Sequence, residues 1–141
     1  MKKRTIKKVR AIIYDIKNGE FYFLILRRIL RWKGWEMLKE TLEKKETSFE
    51  ALKRGIKEET KLKNFEIIKS LDKEEKWTFR GINYSIVDTF LVRADMSQKI
   101  SLKQEIVEHD KYEWVDRETA IKKLTWPKTK KLLEKLEING K

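Results

Sequence analysis

The sequence predicts one mixed α/β (α+β) domain spanning residues 1–141, and three observations carry that reading. Runs of branched and aromatic residues lie on either side of Asn18-Gly19, a dipeptide suited to the positive φ angles of a tight hairpin turn. A stretch beginning at Thr47 instead spaces its apolar residues by three and four, the period of a helix. Strand-like and helical segments then alternate to the C-terminus with no repeat, low-complexity tract or linker between them, the pattern of one domain around a shared core. The 141 residues match the usual ~100–200 per domain, and 40 % apolar residues suffice for a core beside 41 % charged ones.

Taken in order, Val9–Ile16 and Glu20–Leu26 read as the two strands of the hairpin. The basic segment 27–33 continues as a loop or strand extension to Gly34-Trp35. Thr47 or Ser48 caps the first helix, with Glu50 placed to complete a capping box. Phe49, Leu52 and Ile56 form its apolar stripe, the other sides carry Glu50, Arg54, Lys57, Glu58 and Glu59, and the helix ends near Lys61–Leu62. Phe65–Leu71, Lys76–Phe79 and Asn83–Val92 follow as strands, with Arg80-Gly81 as a turn. A short strand at Tyr112–Val115 leads to Asp116, which caps a helix running to Leu124. Trp126-Pro127 opens a C-terminal helix over 126–138, since proline is tolerated in a first turn. Residues 1–8 are expected to form a basic N-terminal arm.

Composition narrows the chemistry. Without cysteine there is no disulfide, thiolate metal ligand or cysteine nucleophile, and there is a single histidine. Any reaction must therefore rest on carboxylates, hydroxyls, lysines or a metal that they hold. No run approaches the roughly 18 apolar residues of a membrane span, and the Lys-rich start lacks a signal peptide's apolar stretch, so a cytoplasmic protein with no membrane partner is expected. The net charge of +12 is unevenly placed: residues 1–10 carry six basic groups and no acid, 27–33 sum to +4 and 121–141 to +5, whereas 34–120 sum to −2. Basic ends around a slightly acidic body suit a polyanionic partner, whether nucleic acid or polyphosphate nucleotide. The solvated lysine coat of a Lys/Glu-rich thermophile protein accounts for the same totals equally well.

The densest group of chemically capable residues runs from Gly34-Trp35-Glu36-Met37-Leu38-Lys39-Glu40 through Glu46 to Arg54-Gly55-Ile56-Lys57-Glu58-Glu59-Thr60-Lys61-Leu62. Adjacent glutamates on a helix, near an arginine and a loop glutamate, can make an oxygen-ligand site for Mg²⁺ or Mn²⁺. Such an ion neutralises a diphosphate and activates water, so carboxylates alone suffice. An exposed helix face laced with Glu50–Arg54 and Arg54–Glu58 pairs explains the same residues without chemistry.

The spacing resembles the Nudix box, Gly-x5-Glu-x7-Arg-Glu-U-x-Glu-Glu-x-Gly-U, where U is bulky and apolar. Glu46 matches the loop glutamate, Arg54 the arginine, Ile56 and Leu62 the apolar positions, and Glu58 and Glu59 the paired glutamates. Trp35-x-x-Leu38-Lys39, Trp77-Thr78-Phe79-Arg80, Glu108-His109-x-x-Tyr112-x-Trp114 and the closing Leu132-Leu133 resemble the diadenosine-tetraphosphate-hydrolase branch, so the likeness covers residues 6–138. It implies a mixed, curved β-sheet sandwiched between helices, and a hydrolase attacking a diphosphate bond of a dinucleoside polyphosphate with Mg²⁺ or Mn²⁺. By position it implies that Glu58 and Glu59 are catalytic and bind metal together with Glu108. Glu46 and Arg54 would form the ion pair that fixes the loop on the helix. Lys39, Trp77, Tyr84 and His109 would contact substrate, through phosphate for Lys39 and His109 and base stacking for Trp77 and Tyr84.

Three positions depart from the pattern: Glu40 stands at its first glycine, Gly55 at the glutamate after the arginine, and Lys61 at its last glycine. Gly55 removes a negative charge and a potential general base, a group typically worth ~10²–10⁴ in rate. It also costs a helix roughly 0.5–1 kcal/mol relative to alanine, so either close packing needs it or catalysis no longer demands the glutamate. Glu40 would either block the site or return a carboxylate to it from the loop side as a fourth metal ligand. For Lys61 the loss is mild if Asn64 takes the left-handed turn after the helix. Two functions follow: a Nudix-type hydrolase with weakened activity, or an inactive Nudix domain that binds nucleotide, RNA or a ribonucleoprotein.

Overall fold

The hairpin forms as the dipeptide predicts, with Asn18 and Gly19 at φ 53° and 78° between β1 (Thr5–Lys17) and β2 (Glu20–Arg28) in the computed structural model, which describes residues 5–138. Both strands are longer than their apolar runs, and residues 5–8 belong to β1; residues 1–4 of the expected arm lie outside the described residues. There follow β3 (Gly34–Glu36), β4 (Leu38–Thr41), α1 (Ser48–Thr60), β5 (Glu66–Ser70), β6 (Glu75–Phe79) and β7 (Ile82–Arg93). The chain closes with β8 (His109–Asp116), α2 (Arg117–Lys123) and α3 (Pro127–Lys135).

The eight strands make one mixed sheet whose central path is β3-β2-β1-β7-β5, with β1 and β7 parallel and the remaining pairs antiparallel. Near their turn, β1 and β2 pair with each other (Tyr14 with Phe23). Further from it they part: β2 pairs with β3 (Leu26 with Glu36) and β1 with β4 (Val9 with Glu40). The segment 34–41 thus fills a fork in the sheet. It was legible only as a box lead-in because its strands are three and four residues long, too short to show alternation.

Strand β1 is buried on both faces, and its alternation divides the core. Val9, Ala11 and Ile13 pack with Leu52, Ile56 and Val92 under α1, while Ile12 and Tyr14 pack with Phe23, Leu124 and Leu133 under α2 and α3. Helices therefore cover the two faces, as the sandwich requires.

Helix α1 opens on the predicted capping box, Thr47 accepting from the Glu50 backbone N–H and the Glu50 side chain accepting from that of Thr47. Three sequence expectations for this helix change. Phe49 is 45 % exposed, so the buried stripe starts at Ala51 and Leu52. Glu59 lies on the buried side rather than the exposed one, because the step 52–56–59 follows the helical period. The left-handed turn falls on Lys61 itself (φ 63°, ψ 17°), not on Asn64, since the Lys61 N–H bonds the Lys57 carbonyl and ends the helix there.

Two substitutions test these placements. Lys61 holds a conformation costing a β-carbon roughly 1–2 kcal/mol, so Lys61→Gly should raise the urea midpoint. A β-carbon at Gly34 would run into the Thr125 hydroxyl, which accepts from the Trp35 N–H at 3.0 Å, and would sit 2.9 Å from Trp32. Gly34→Ala should therefore destabilise by about 1–3 kcal/mol in the same assay.

Candidate functional site

The loop 42–47 and helix α1 are tied together by Arg54. Its Nε and Nη2 donate to the two carboxylate oxygens of Glu46 at 2.8 and 2.9 Å, and Nη2 also donates to the Thr41 carbonyl at the end of β4. Nη1 reaches Glu58 at 3.0 Å and Glu40 at 3.4 Å. The guanidinium hydrogen bonds hold the Glu46 carboxyl at about 2, and Arg54 is correspondingly raised. The pair anticipated from the box is thus formed. Glu58 spends its carboxylate on Arg54 and is 54 % exposed, about 100° around the helix from the buried direction that its neighbour Glu59 takes.

Glu59 is 2 % exposed and neither of its oxygens has a hydrogen-bond partner. Burial, then the charges of Glu108 and Glu40, push its carboxyl well above the ordinary range. Glu40 is close enough to hydrogen-bond the protonated form; with both groups ionised there is no hydrogen to share. Across from Glu59, at the start of β8, lies His109, whose Nδ1 is 3.4 Å from a Glu59 oxygen. Ligand atoms of Glu59, Glu108 and His109 all fall within 4.8 Å of one another.

The group that organises this cluster is Glu36, which the sequence reading left without a role. It is 3 % exposed at the end of β3, with Arg28 Nη1 at 3.1 Å, Lys39 Nζ at 3.0 Å and His109 Nε2 at 2.8 Å. Burial alone would raise its carboxyl; Lys39, His109 and Arg28 overcome that and hold it at about 2. An ionised Glu36 can only accept, so His109 donates from Nε2 and turns the Nδ1 lone pair of its neutral form toward Glu59. Arg28 spans the cluster, reaching Glu108 with its other terminal nitrogen at 3.5 Å. The signal for Glu36 was a lone acid in a strand facing basic Arg28 and followed by Lys39, which short-range patterns do not weigh.

Glu36 and Lys39 also line a cavity of about 480 Å³ between the sheet and the start of α3. Two aromatic pairs wall it: Trp77 stacks on Tyr84 with centroids 5.3 Å apart, and Trp32 meets Trp126 edge-on at 5.1 Å. The Lys39 ammonium lies between them, 5.7 Å from the Trp32 ring and 5.1 Å from that of Trp77. Lys8 adds a second ammonium, its proton affinity lowered by burial and by Lys39. Lys39, Trp77 and Tyr84 are thus brought to one cavity, which they share with Trp32, Trp126 and Lys8, residues too far apart in sequence to be grouped from it. His109 does not line the cavity; both its ring nitrogens face the buried carboxylates of Glu36 and Glu59. Among the described residues no helix is long and apolar enough to cross a membrane.

No curated protein matches the sequence significantly. Among solved structures, the chain is similar to a Caenorhabditis elegans Ap4A hydrolase at 22 % identity and TM-score 0.79, covering 92 % of this chain and 93 % of that one. It is similar to the Escherichia coli dihydroneopterin triphosphate pyrophosphohydrolase at 18 % and 0.76, covering 95 % and 96 %. It also resembles the NUDIX domain of Shewanella oneidensis NrtR complexed with ADP ribose, at 14 % and 0.66, covering 94 % and 86 %. At these identities the likeness establishes the fold. The family model for the NUDIX domain matches residues 5–136, nearly the whole chain, and with the Arg54–Glu46 clamp and forked sheet already described it makes this chain a member of the Nudix family.

Proposed function

We propose that this protein hydrolyses a diphosphate bond in a nucleoside polyphosphate, with dinucleoside polyphosphates such as Ap4A as the leading substrate class, in the cytoplasm. The observation that carries the reading is Glu59, a buried carboxylate with two unpartnered oxygens beside Glu108 and His109. An uncompensated buried charge costs several kcal/mol, which a proton or a bound cation relieves. Two carboxylates suit Mg²⁺ or Mn²⁺, and the imidazole nitrogen favours Mn²⁺ of the two. The ion would be held by Glu59, Glu108 and His109, and when bound it would supply charge neutralisation and an acidified water. Glu36 orients His109 through Nε2, the arrangement of carboxylate, histidine and metal found at many such centres.

The protein's own groups account for the rest of the substrate. Lys39 and Lys8 offer ammonium groups to phosphate oxygens, and the Trp77–Tyr84 and Trp32–Trp126 walls offer ring faces and edges to a base. Glu58, held outward by Arg54, serves the loop clamp in this reading, and its expected metal role falls to residues that face inward. The alternative, an inactive module binding nucleotide or RNA, draws on Gly55, Glu40 and the basic ends; the close approach of the first two gives Gly55 a packing reason and leaves the basic ends as its support.

The test is nucleotide release from dinucleoside polyphosphates and nucleoside triphosphates with Mg²⁺ or Mn²⁺. Turnover is expected, falling roughly 10²-fold or more in Glu59→Gln; equal rates in both proteins, or none in either, would sink the reading. Trp77→Ala should raise KM roughly 5- to 150-fold with little change in kcat, the loss of one base stack.

Stability gives a further check without substrate. A carboxyl raised in the fold above its unfolded value of 4.5 binds protons better when folded, so ionising Glu59 opposes folding. That penalty is absent below pH 4.5, grows as pH rises from there toward the folded pKa, and is constant above it. Metal-free Glu59→Gln should therefore melt higher than wild type at pH 7, and the gap should close by pH 4.5. Glu36 acts in the opposite sense: its contribution is complete above pH 4.5 and lost as pH falls through about 2.

A further inference from the structure

We propose that Glu40 and Gly55 are a reciprocal exchange, in which the metal-site carboxylate normally borne by helix α1 is supplied instead by strand β4, and Gly55 is the space it needs. The inference rests on the metal-dependent reading above and deepens it by assigning a further residue to the same site.

The steric half is direct. A β-carbon at residue 55 would lie 2.6 Å from Glu40 Cβ, 2.7 Å from Cγ and 3.0 Å from Oε2. The obstacle is thus the root of the Glu40 side chain, which cannot swing aside while residue 40 stays in its ladder with Val9. Glycine in the middle of a 13-residue helix, on its buried face, has no other conformational motive, since Gly55 is not among the residues with positive φ. Position 40 is on a strand rather than in the loop, so its side-chain direction is fixed by pairing.

The chemical half follows from what surrounds that carboxylate. Oε1 accepts from the Thr41 N–H at 3.1 Å and lies 3.4 Å from Arg54 Nη1. Oε2 lies over the backbone at residue 55, one helical turn before Glu59. A glutamate rooted at 55 would stand four residues before Glu59 on the same face. Glu40 brings the same group to that face from the facing strand, beside the unpartnered Glu59. Blocking the site would need a side chain with no affinity for its occupant, and a carboxylate within hydrogen-bonding reach of Glu59 is the reverse.

The exchange changes what single substitutions do. Gly55→Glu, which returns the familiar residue, should harm the protein because Glu40 already fills its place, and rescue requires Glu40→Gly as well. We would measure Mn²⁺ affinity by the electron paramagnetic resonance of free Mn²⁺, and melting temperature without metal, for wild type, Glu40→Gln, Glu59→Gln, Gly55→Ala, Glu40→Gly, Glu40→Gly/Gly55→Ala and Glu40→Gly/Gly55→Glu. Glu40→Gln should weaken Mn²⁺ binding roughly tenfold or more, and Glu40→Gly/Gly55→Glu should bind within about threefold of wild type, on the same scale. Gly55→Ala should melt about 3–10 °C lower, and Ala should be harmless or stabilising once residue 40 is glycine. Binding by wild type that Glu40→Gln leaves unchanged overturns the exchange alone. Absence of Mn²⁺ binding in wild type overturns it together with the metal-dependent reading. Equal melting of Gly55→Ala and wild type overturns the steric half.

Discussion

Everything at the site depends on Arg54 holding three pieces of chain together. One guanidinium binds the loop through Glu46, the end of β4 through the Thr41 carbonyl, and its own helix through Glu58. Five donors in a rigid plane make that possible, and a lysine could not replace it. Because α1 is pinned against β4 at this point, the next turns of the helix present Gly55, Ile56 and Glu59 inward at fixed depth. The fork between β1 and β2 then decides what they meet: β4 offers Glu40, and β3 offers Glu36.

The cluster so formed contains four carboxylates, and the environment divides their labour. Glu36 is surrounded by Lys39, Arg28 and His109 and stays ionised even at low pH. Glu59 is equally buried but meets other carboxylates, so its charged form is the costly one. A pair of acids pushed in opposite directions by their surroundings is the usual mark of groups with different tasks. Here Glu36 is the fixed charge that His109 Nε2 meets, and Glu59 is the one whose oxygens have no partner. Arg28 balances the group from behind without filling the gap, since its nearest contact on that side is Glu108 at 3.5 Å.

The fold was legible where local chemistry is strong. Asn18-Gly19, the Thr47–Glu50 capping box, Arg80-Gly81 and Asp116 each fix a boundary through hydrogen bonds or φ preferences within a few residues, and each boundary lies where these predict. The Arg54–Glu46 pair was legible only through the resemblance to the Nudix box. What could not be read depends on contacts across the fork. β3 and β4 are too short for a period, Glu36 acts through His109 at a separation of 73 residues, and the cavity joins Trp32, Trp77 and Trp126. Glu59 was misplaced for a different reason: a charged residue is assigned to the wet face by default, although its spacing from Leu52 and Ile56 put it on the dry one.

That misassignment points to the distribution of local conflicts along the chain. Helix α1 carries a glycine on its buried face, an unpartnered buried glutamate one turn later, and a lysine in left-handed conformation at its end. Each costs stability on its own, and elsewhere the helix follows the rules of capping, dipole and amphipathicity closely. Gly55 and Glu59 share the buried face that the guanidinium clamp orders, and Lys61 ends the helix on its exposed side. Selection for stability alone would favour glutamine at 59 and glycine at 61, whereas the root of Glu40 excludes alanine at 55. The two buried residues are the positions that meet Glu40 and His109, so these conflicts coincide with the carboxylate cluster. Gly55 fits that account as the partner of Glu40: what looks in the sequence like a missing carboxylate is, in three dimensions, a carboxylate approaching from the other side.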